Sequence, residues 1–261
     1  MPEKEKIKDP TIDRRMKILE LVNLKGHVKV NDLSKVFIVS EVTIRNDLTH
    51  LEKKGLLIKT RGGGLKTQRV GIDQKLNEKA KIYSKEKQAI GKKAAEIIKD
   101  DDTIIIDSGT TTLEIAKSLG SIKNLTVITN SLNIASQLVN DEIKVILLGG
   151  ILRHNSLSLI GPIAENSIKN FYCDKLFIGV DGIDSQYGIS TPNSEEAHLN
   201  RLMIEISKEV IIVTDSSKFK KRSFAFIAPM SKVNLVITDS KIPEDELKNL
   251  QNIGVKTIIA S

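Results

Sequence analysis

One run of small and hydroxyl-bearing residues has the pattern of an anion-binding loop. It follows the apolar segment TIIID and leads into a helical pattern, and its members are Asp107, Ser108, Gly109, Thr110, Thr111 and Thr112. A glycine lets the backbone approach a ligand closely, and the first N–H groups of a helix have no partner within the helix. With the threonine hydroxyls, these donors suit a phosphate group. The alternative is that Ser or Thr caps the helix and binds no ligand.

Further polar residues follow the other predicted strands. In a parallel α/β sheet, ligands bind beyond the carboxyl ends of the strands, so we expect these residues to line one pocket. The residues that complete the candidate ligand-binding set are Asn130, Gly149, Gly150, Asp181 and Lys218. Lys218 would supply a cation to the same anion, although a single lysine can equally be a solvated surface side chain. The Gly-x-x-x-x-Gly-Lys-Ser/Thr spacing of a Walker loop is missing.

A second set of residues has the pattern of a DNA-reading helix. Ile44, Leu48 and Leu51 recur at helical spacing and predict a buried stripe, and Ser40 is placed to cap the helix. The opposite face is polar and net positive. A short predicted helix and a tight apolar turn at 38–39 come before it. This is the helix-turn-helix order in which the second helix enters the major groove of DNA.

A predicted hairpin follows this recognition helix. Gly55 is expected to end the helix, and residues 56–65 predict two short strands with basic residues near a glycine tip. Such a hairpin is typical of a wing that lies along the phosphate backbone. The predicted DNA-binding residues of the helix and the wing are Ser40, Val42, Thr43, Arg45, Asn46, Thr49, Lys59 and Arg61. Each piece alone also fits a solvated surface, but their order along the chain favours DNA binding.

The positive charge is concentrated in the same part of the chain. Residues 1–66 contain 15 Lys and Arg against 9 Asp and Glu, whereas residues 67–261 contain 25 against 24. A basic surface gains affinity for DNA through counterion release, although such a segment can also simply be soluble. Trp is absent and aromatic residues make up 3% of the sequence, which leaves little to stack on single-stranded bases. The composition therefore favours double-stranded DNA.

Several other classes of protein are disfavoured. The single cysteine, Cys173, leaves no intramolecular disulfide to form, and the four histidines show no metal-ligand spacing, so neither a metal nor a cofactor is expected. No stretch approaches the length of a membrane span, and the N-terminal residues lack the apolar run of a signal peptide. We expect a cytoplasmic protein without a membrane partner.

Seven short apolar segments alternate with helical patterns in the larger part of the chain. The predicted strands are 103–107, 125–129, 143–148, 175–180, 209–214, 233–238 and 255–260, and the predicted helices between them are 111–119, 132–139, 163–170, 195–207 and 244–252. This alternation predicts an α/β fold with a mostly parallel sheet. The expected domains are a winged helix-turn-helix at 1–66, a linker at 67–82 and an α/β effector-binding domain at 83–261.

As a set, the motifs resemble those of the DeoR family of bacterial transcriptional repressors. The run from Val39 to Leu56 and the glycine tip are similar to the family's DNA-binding signature. The motifs that are similar to its effector domain are Asp107–Thr112, Thr129–Ser131, Leu148–Gly150 and Asp215–Phe219. The resemblance implies a homodimer or homotetramer on double-stranded operator DNA, which a phosphorylated sugar releases.

At two places this chain has other residues than many members of the wider family, and one branch of the family resembles it more closely. Many members carry Arg where this chain has Asn46, and His-Gly-Gly-Ala where it has Arg61-Gly62-Gly63-Gly64. Together with the run from Glu196 to Arg201, the TIRNDL segment is most like the N-acetylgalactosamine (aga) operon repressors. The first candidate effectors are therefore N-acetylgalactosamine 6-phosphate and galactosamine 6-phosphate. Because Asn can read adenine through two hydrogen bonds, Asn46 is expected to distinguish this operator from those of relatives.

The resemblance leaves two classes of function, a regulator and a sugar-phosphate isomerase with an appended DNA-binding domain. It implies an effector domain similar in fold to ribose-5-phosphate isomerase, in which the catalytic glutamate lies on the helix before the Asp-x-Ser-Lys strand end. By spacing, the corresponding residue here is Asn200, which cannot act as a general base. Glu195 and Glu196 lie about a turn away. We expect a regulator with no catalytic residues.

Overall fold

The chain folds as two units, Met1–Ile72 and Asp73–Ser261, in this computed structural model. The residues that the structure describes are 10–53, 56–66, 73–120, 122–139 and 142–261. Of the predicted linker at 67–82, residues 67–72 lie outside the described residues, and residues 73–82 belong to the second unit.

The first unit is a winged helix-turn-helix. Its described elements are α1 (Pro10–Lys25), β1 (His27–Lys29), α2 (Val30–Phe37), α3 (Glu41–Lys53), β2 (Leu57–Thr60) and β3 (Gly63–Lys66). Helices α2 and α3 form the helix-turn-helix, and strands β2 and β3 form the wing. Strand β3 lies between β1 and β2 and is antiparallel to both. Gly55, which was predicted to end α3, lies outside the described residues.

The core of this unit confirms the periodicity of the recognition helix. Ile44, Leu48 and Leu51 are all buried. The turn between α2 and α3 contains Ile38, whose φ of 52° lies in the left-handed region and whose side chain is 91% exposed. Apolar burial thus fixes one face of α3 in the unit and leaves its opposite face to solvent.

The second unit is built on a seven-stranded parallel sheet. Its described elements are α4 (Leu76–Lys79), α5 (Ser84–Ala95), β4 (Thr103–Ile106), α6 (Thr110–Ser118), β5 (Thr126–Thr129), α7 (Leu132–Leu138), β6 (Lys144–Leu147), β7 (Ile151–Arg153), β8 (Ser158–Ile160), α8 (Pro162–Ile168), β9 (Cys173–Ile178), β10 (Gly182–Asp184), β11 (Gly188–Thr191), α9 (Ser194–Glu205), β12 (Ser207–Val213), β13 (Ala225–Ala228), β14 (Leu235–Asp239), α10 (Glu244–Asn252) and β15 (Lys256–Ala260). The order in the sheet is β15-β14-β12-β9-β4-β5-β6. Every pair of neighbours is parallel.

All seven predicted strands lie in this sheet, and their side chains alternate between two buried layers. Ile105 and Leu176 belong to one layer, whereas Ile104, Ile106 and Phe177 belong to the other. A sheet that is covered on both faces requires strands that are apolar at nearly every position. This is the reason that the apolar runs predicted the strands well.

The sequence did not predict the smaller β elements. Strands β7 and β8 form a hairpin, and β10, β11 and β13 form a separate three-stranded antiparallel sheet. These strands have three or four residues each. Runs of that length are too short to show a period of two above chance. Among the described residues, no helix has both the length and the apolar character that crossing a bilayer requires.

Candidate DNA-binding and effector-binding sites

The recognition helix begins as the sequence predicts. The Thr43 N–H donates a 3.2 Å hydrogen bond to Ser40 Oγ, and the Ile44 N–H donates to the Ser40 carbonyl. The side chains of Val42, Arg45 and Asn46 are exposed. The cap therefore sets the first turn of α3, and the predicted reading residues of that turn lie on its solvent face.

The wing is bonded to the recognition helix through the predicted DNA-binding residues. Arg45 Nη1 donates a 3.0 Å hydrogen bond to the Arg61 carbonyl, and its Nη2 pairs with Glu41 at 3.0 Å. Lys59 Nζ donates to Thr49 Oγ1 at 2.6 Å. Four predicted residues from two elements thus form one basic surface.

A buried carboxylate that the sequence analysis missed holds this helix in place. Asp47, 1% exposed, accepts hydrogen bonds from Arg14 Nε at 2.6 Å and from Arg15 Nε at 2.7 Å. Both arginines lie on α1, so the pair of ion pairs joins α1 to α3. The helical spacing could have indicated this burial, because Asp47 lies beside Leu48 on the side of the helix that the buried stripe occupies.

The glycines of the wing have a steric reason. A Cβ at Gly63 would lie 1.8 Å from the Val28 carbonyl oxygen on β1, so no larger residue fits the central strand there. A Cβ at Gly64 would lie 3.2 Å from Leu48 Cδ2. The Arg61-Gly62-Gly63-Gly64 run therefore allows the wing to pack closely on β1 and α3.

In the second unit, polar residues gather where the strands of the large sheet end. Asp107 follows β4, Asn130 follows β5, Asp181 lies beyond β9, and Asp215 lies beyond β12. The Ser108 N–H donates a 3.0 Å hydrogen bond to Asn130 Oδ1, so two of the predicted loops are joined directly. This edge of the sheet is the candidate effector site.

Asp107, at this edge of the sheet, has an unusual electrostatic environment. Its side chain is buried, and burial together with the nearby Glu196 raises its pKa to about 7. Hydrogen bonds with the Ser108 N–H, Asn200 and Asn130 act in the opposite direction. A carboxyl group held in this way can donate or accept a hydrogen bond near neutral pH.

Replacing Asp107 with asparagine should stabilise the second unit at pH 8 and remove a pH dependence. The raised pKa means that the native state holds a proton that the unfolded state releases, so wild-type stability should fall as the pH rises from about 4 to about 7. A shift of about three pKa units corresponds to a change on the order of 4 kcal/mol. Urea unfolding at pH 5 and pH 8, followed by tyrosine fluorescence, measures the part of this change that falls between pH 5 and 7, about 3 kcal/mol.

Tyrosine fluorescence reports on the second unit, because Tyr83, Tyr172 and Tyr187 are the three tyrosines of the chain. Glu205→Gln is the control, since Glu205 is an exposed carboxylate on α9. An Asp107→Asn variant whose stability changes with pH as the wild type does would contradict the assigned environment.

Glu196 is a second site residue that its sequence position alone did not select. It lies in the first turn of α9, where its N–H bonds to the capping Asn193 side chain at 2.9 Å. Its carboxylate accepts a 2.8 Å hydrogen bond from Ser158 Oγ and pairs with Arg153. Asn200, one turn further along α9, is 4% exposed and hydrogen-bonded with Asp107. Residues from three distant segments thus form one cluster of polar side chains.

The loop that the sequence singled out begins a helix without a side-chain cap. Gly109 is the N-cap residue of α6, and in the part of the chain that the structure describes this helix has no side-chain cap hydrogen bond. The alternative of Ser or Thr capping is therefore not what the structure has. Thr112 Oγ1 is buried and has no hydrogen-bond partner among the described residues. A Cβ at Gly109 would lie 2.9 Å from this oxygen.

Lys218 is paired rather than solvated. Asp181 Oδ1 accepts from Lys218 Nζ at 3.2 Å, and Asp181 Oδ2 accepts from Lys79 Nζ at 2.9 Å. Burial alone would raise the pKa of Asp181, but the two lysines hold it well below its usual range. Burial likewise opposes the charge of Lys218, whose pKa is nevertheless raised by Asp181 and Asp215.

The predicted glycine pair has a mainly structural environment. Gly150 has a φ of 138°, and a Cβ there would lie 2.5 Å from the Ile160 carbonyl oxygen on β8. A Cβ at Gly149 would lie 3.1 Å from Ile163 Cγ2. These contacts explain both glycines by the packing of the β7–β8 hairpin and α8. Within the described residues, no group of three or more His, Cys, Asp or Glu side chains could hold a metal ion.

Comparison with known proteins is consistent with this two-part arrangement. The family model for the DeoR-like helix-turn-helix domain matches residues 14–68, and that for the DeoR C-terminal sensor domain matches residues 82–240. A protein of Escherichia coli O157:H7 named as an aga operon transcriptional repressor is 39% identical over 252 residues, which are 95% of this chain and 94% of that protein. The HTH-type transcriptional regulator YulB of Bacillus subtilis is 40% identical over 245 residues, 94% of this chain and 95% of that protein.

Among solved structures, the ribose 5-phosphate isomerase A of Methanocaldococcus jannaschii is similar to part of the chain. The TM-score is 0.40 and the sequence identity is 16%, over 52% of this chain and 55% of that one.

Proposed function

Because the chain belongs to the DeoR family of transcriptional regulators, we propose that it represses a sugar or amino-sugar catabolic operon and leaves its operator when a phosphorylated sugar binds the second unit. The observation that carries the proposal is made at the edge of the sheet where the parallel strands end. There the loop from Asp107 leads into a helix without a side-chain cap, the buried Thr112 hydroxyl has no partner among the described residues, and the Ser108 N–H joins this loop to Asn130. An anionic sugar needs hydrogen-bond donors of this kind. The DNA-binding surface lies on a different unit.

The two ends of the ligand have different candidate partners. The uncapped N-terminus of α6 and the hydroxyls of Thr110, Thr111 and Thr112 suit the phosphate. The orphaned Thr112 hydroxyl is costly to bury unless something bonds to it, on the order of 1–3 kcal/mol. Asp107 and Asn200 supply the donors and acceptors that sugar hydroxyls need.

Repression and release follow from linkage between two sites. A homodimer or homotetramer would place recognition helices in successive major grooves, and the operator would share its symmetry. The effector must bind more tightly to the state in which the spacing of the recognition helices does not match the operator. Coupling free energies between two such sites are typically 1–3 kcal/mol. N-acetylgalactosamine 6-phosphate and galactosamine 6-phosphate are the first candidates, since one relative is named for the aga operon.

Replacing Thr110 and Thr111 with valine should leave operator affinity within about twofold and raise the sugar-phosphate concentration needed for release by at least about tenfold. Valine keeps the shape of threonine but removes the donors, and hydrogen bonds to charged groups contribute about 1.5–3 kcal/mol. Fluorescence anisotropy of labelled operator DNA, titrated with the sugar phosphate, measures both quantities.

The control is the double variant Thr103→Val/Thr126→Val. These threonines lie at the amino ends of β4 and β5, away from the proposed site. Release of the Thr110/Thr111 variant at the wild-type concentration would refute the proposed phosphate site.

In the proposed function, the protein binds its sugar phosphate without converting it to a product. Asn200, at the position expected for a catalytic base, is a hydrogen-bond partner of Asp107 and has no proton-accepting carboxylate. Glu196 is engaged by Arg153 and Ser158. Incubation with ribose 5-phosphate or galactosamine 6-phosphate, followed by NMR, should show no turnover. Product formation would support the isomerase alternative.

A further inference from the structure

The first residues of the second unit form ion pairs and hydrogen bonds with residues at the candidate effector site. We call Asp73–Ile82 the strap. At its start, Asp73 pairs with Arg153 and accepts a 2.9 Å hydrogen bond from Asn155 Nδ2. The Leu76 N–H donates to the Asn155 carbonyl at 2.7 Å, and the Leu76 side chain is buried. Arg153 also pairs with Glu196, so the strap shares a partner with a residue of the candidate effector site.

The middle and the end of the strap are attached by two lysines. Lys79 Nζ lies 2.8 Å from Asp181 Oδ1, the same oxygen that Lys218 Nζ contacts at 3.2 Å. Lys87 Nζ donates to the carbonyl oxygens of Lys79 and Ile82. Lys87 is itself buried, and this burial lowers its pKa to about 8. A buried amine that donates to strap carbonyls holds the backbone of the strap beside Asp181.

The chain that leads into Asp181 passes beside the loop proposed to bind phosphate. A Cβ at Gly179, two residues before Asp181, would lie 3.9 Å from Thr112 Cγ2 and 4.0 Å from the Ser108 carbonyl oxygen. Three lysines, Lys79, Lys87 and Lys218, interact with two carboxylates, those of Asp181 and Asp215, so the cluster carries one excess positive charge. An arriving dianion would attract Lys79 and Lys218 at the expense of Asp181.

We propose that Lys79 binds the anionic group of the effector together with Lys218, so that the effector stabilises the docked strap. This inference rests on the proposed function, since it concerns the same effector site. Lys79 belongs to the site only while the strap is docked. Binding of the ligand and docking of the strap are therefore linked equilibria. A ligand that contacts Lys79 must stabilise the docked strap by the same free energy by which docking strengthens binding of the ligand. The strap directly follows residue 72, where the first unit ends, and so occupancy would change the segment through which the chain reaches the DNA-binding unit.

Hydrogen–deuterium exchange of the full-length protein tests the strap without any substitution. The probes are inorganic phosphate and galactosamine 6-phosphate, each compared with the ligand-free protein. We expect exchange at the amides of Leu76–Ile82 to slow by about fivefold or more, which is the lower end of typical coupling. The amides of Ser108–Thr112 should slow in the same experiment.

The experiment can give three patterns of amide exchange, and each has a different meaning. Slowing at both segments supports the strap. Slowing at Ser108–Thr112 alone would overturn the strap and leave the proposed function standing. No slowing at either segment with both probes would overturn the strap and count against the proposed phosphate site as well.

Lys79→Gln adds a test of the residue itself. This variant should weaken binding of the same probes by about tenfold, and the probe should no longer protect the strap at saturation. Lys81→Gln is the matched control, because Lys81 is an exposed lysine of the same strap and its replacement removes the same charge. Lys79→Gln protein that binds the probes and protects its strap as the wild type does would overturn the role of Lys79.

Discussion

Replacing Arg45 with alanine should lower operator affinity by about 100-fold while shifting the melting temperature by no more than about 1 °C. A bidentate arginine contact to a base contributes about 1–3 kcal/mol to recognition. Arg45 also donates to the Arg61 carbonyl, so its loss would remove one of the contacts that hold the wing beside the recognition helix. Its ion pair with Glu41 is exposed, and exposed pairs contribute little to stability.

Two companion variants separate base reading from charge. Arg45→Lys keeps the charge but loses the planar fork, so we expect it to recover less than half of the lost binding free energy. Lys25→Ala, at the end of α1, removes an exposed positive charge from another helix. The operator can be selected from a random duplex library and its affinity measured by anisotropy. An Arg45→Ala protein that binds the selected duplex as tightly as Lys25→Ala would remove Arg45 from the reading set.

Replacing Asp47 with asparagine should destabilise the first unit by about 3 kcal/mol and abolish DNA binding at physiological temperature. Removing one partner of a buried ion pair leaves the opposite charges uncompensated, and here Arg14 and Arg15 would both lose their partner. The helix that carries Arg45 would then lose both of these ion pairs to α1. Amide exchange at Ile44–Leu51 in the full-length chain measures the loss.

Asp32→Asn is the control for this change, because Asp32 is an exposed aspartate on α2. In this variant, the amides of Ile44–Leu51 should exchange at the wild-type rate. If Asp47→Asn left the exchange of α3 unchanged, the two arginines would have no part in holding the recognition helix.

The sequence alone predicted the parts of this protein that depend on local periodicity. The buried stripe of Ile44, Leu48 and Leu51 follows from helical spacing, and the structure confirms it. The seven strands of the large sheet follow from continuous apolar runs, because strands that are buried on both faces need them. The rule that ligands bind beyond parallel strands then brought Asp107 and Asn130 to one edge, where Asn130 bonds to the Ser108 N–H.

The tertiary structure alone decided which charges are partners. Asp47 and its arginines are separated by more than thirty residues, and Lys79 and Asp181 by 102. No periodicity extends over such distances, since the pairing depends on which loops the fold brings together. The same holds for the Glu196 and Arg153 pair in the candidate effector site. It also holds for position 63, where the Val28 carbonyl leaves room only for glycine. The sequence therefore determined the elements and the type of chemistry at each strand end. The structure determined that Lys218 is paired, that Asp107 lies among amides, and that the residues after position 72 are bound to the site.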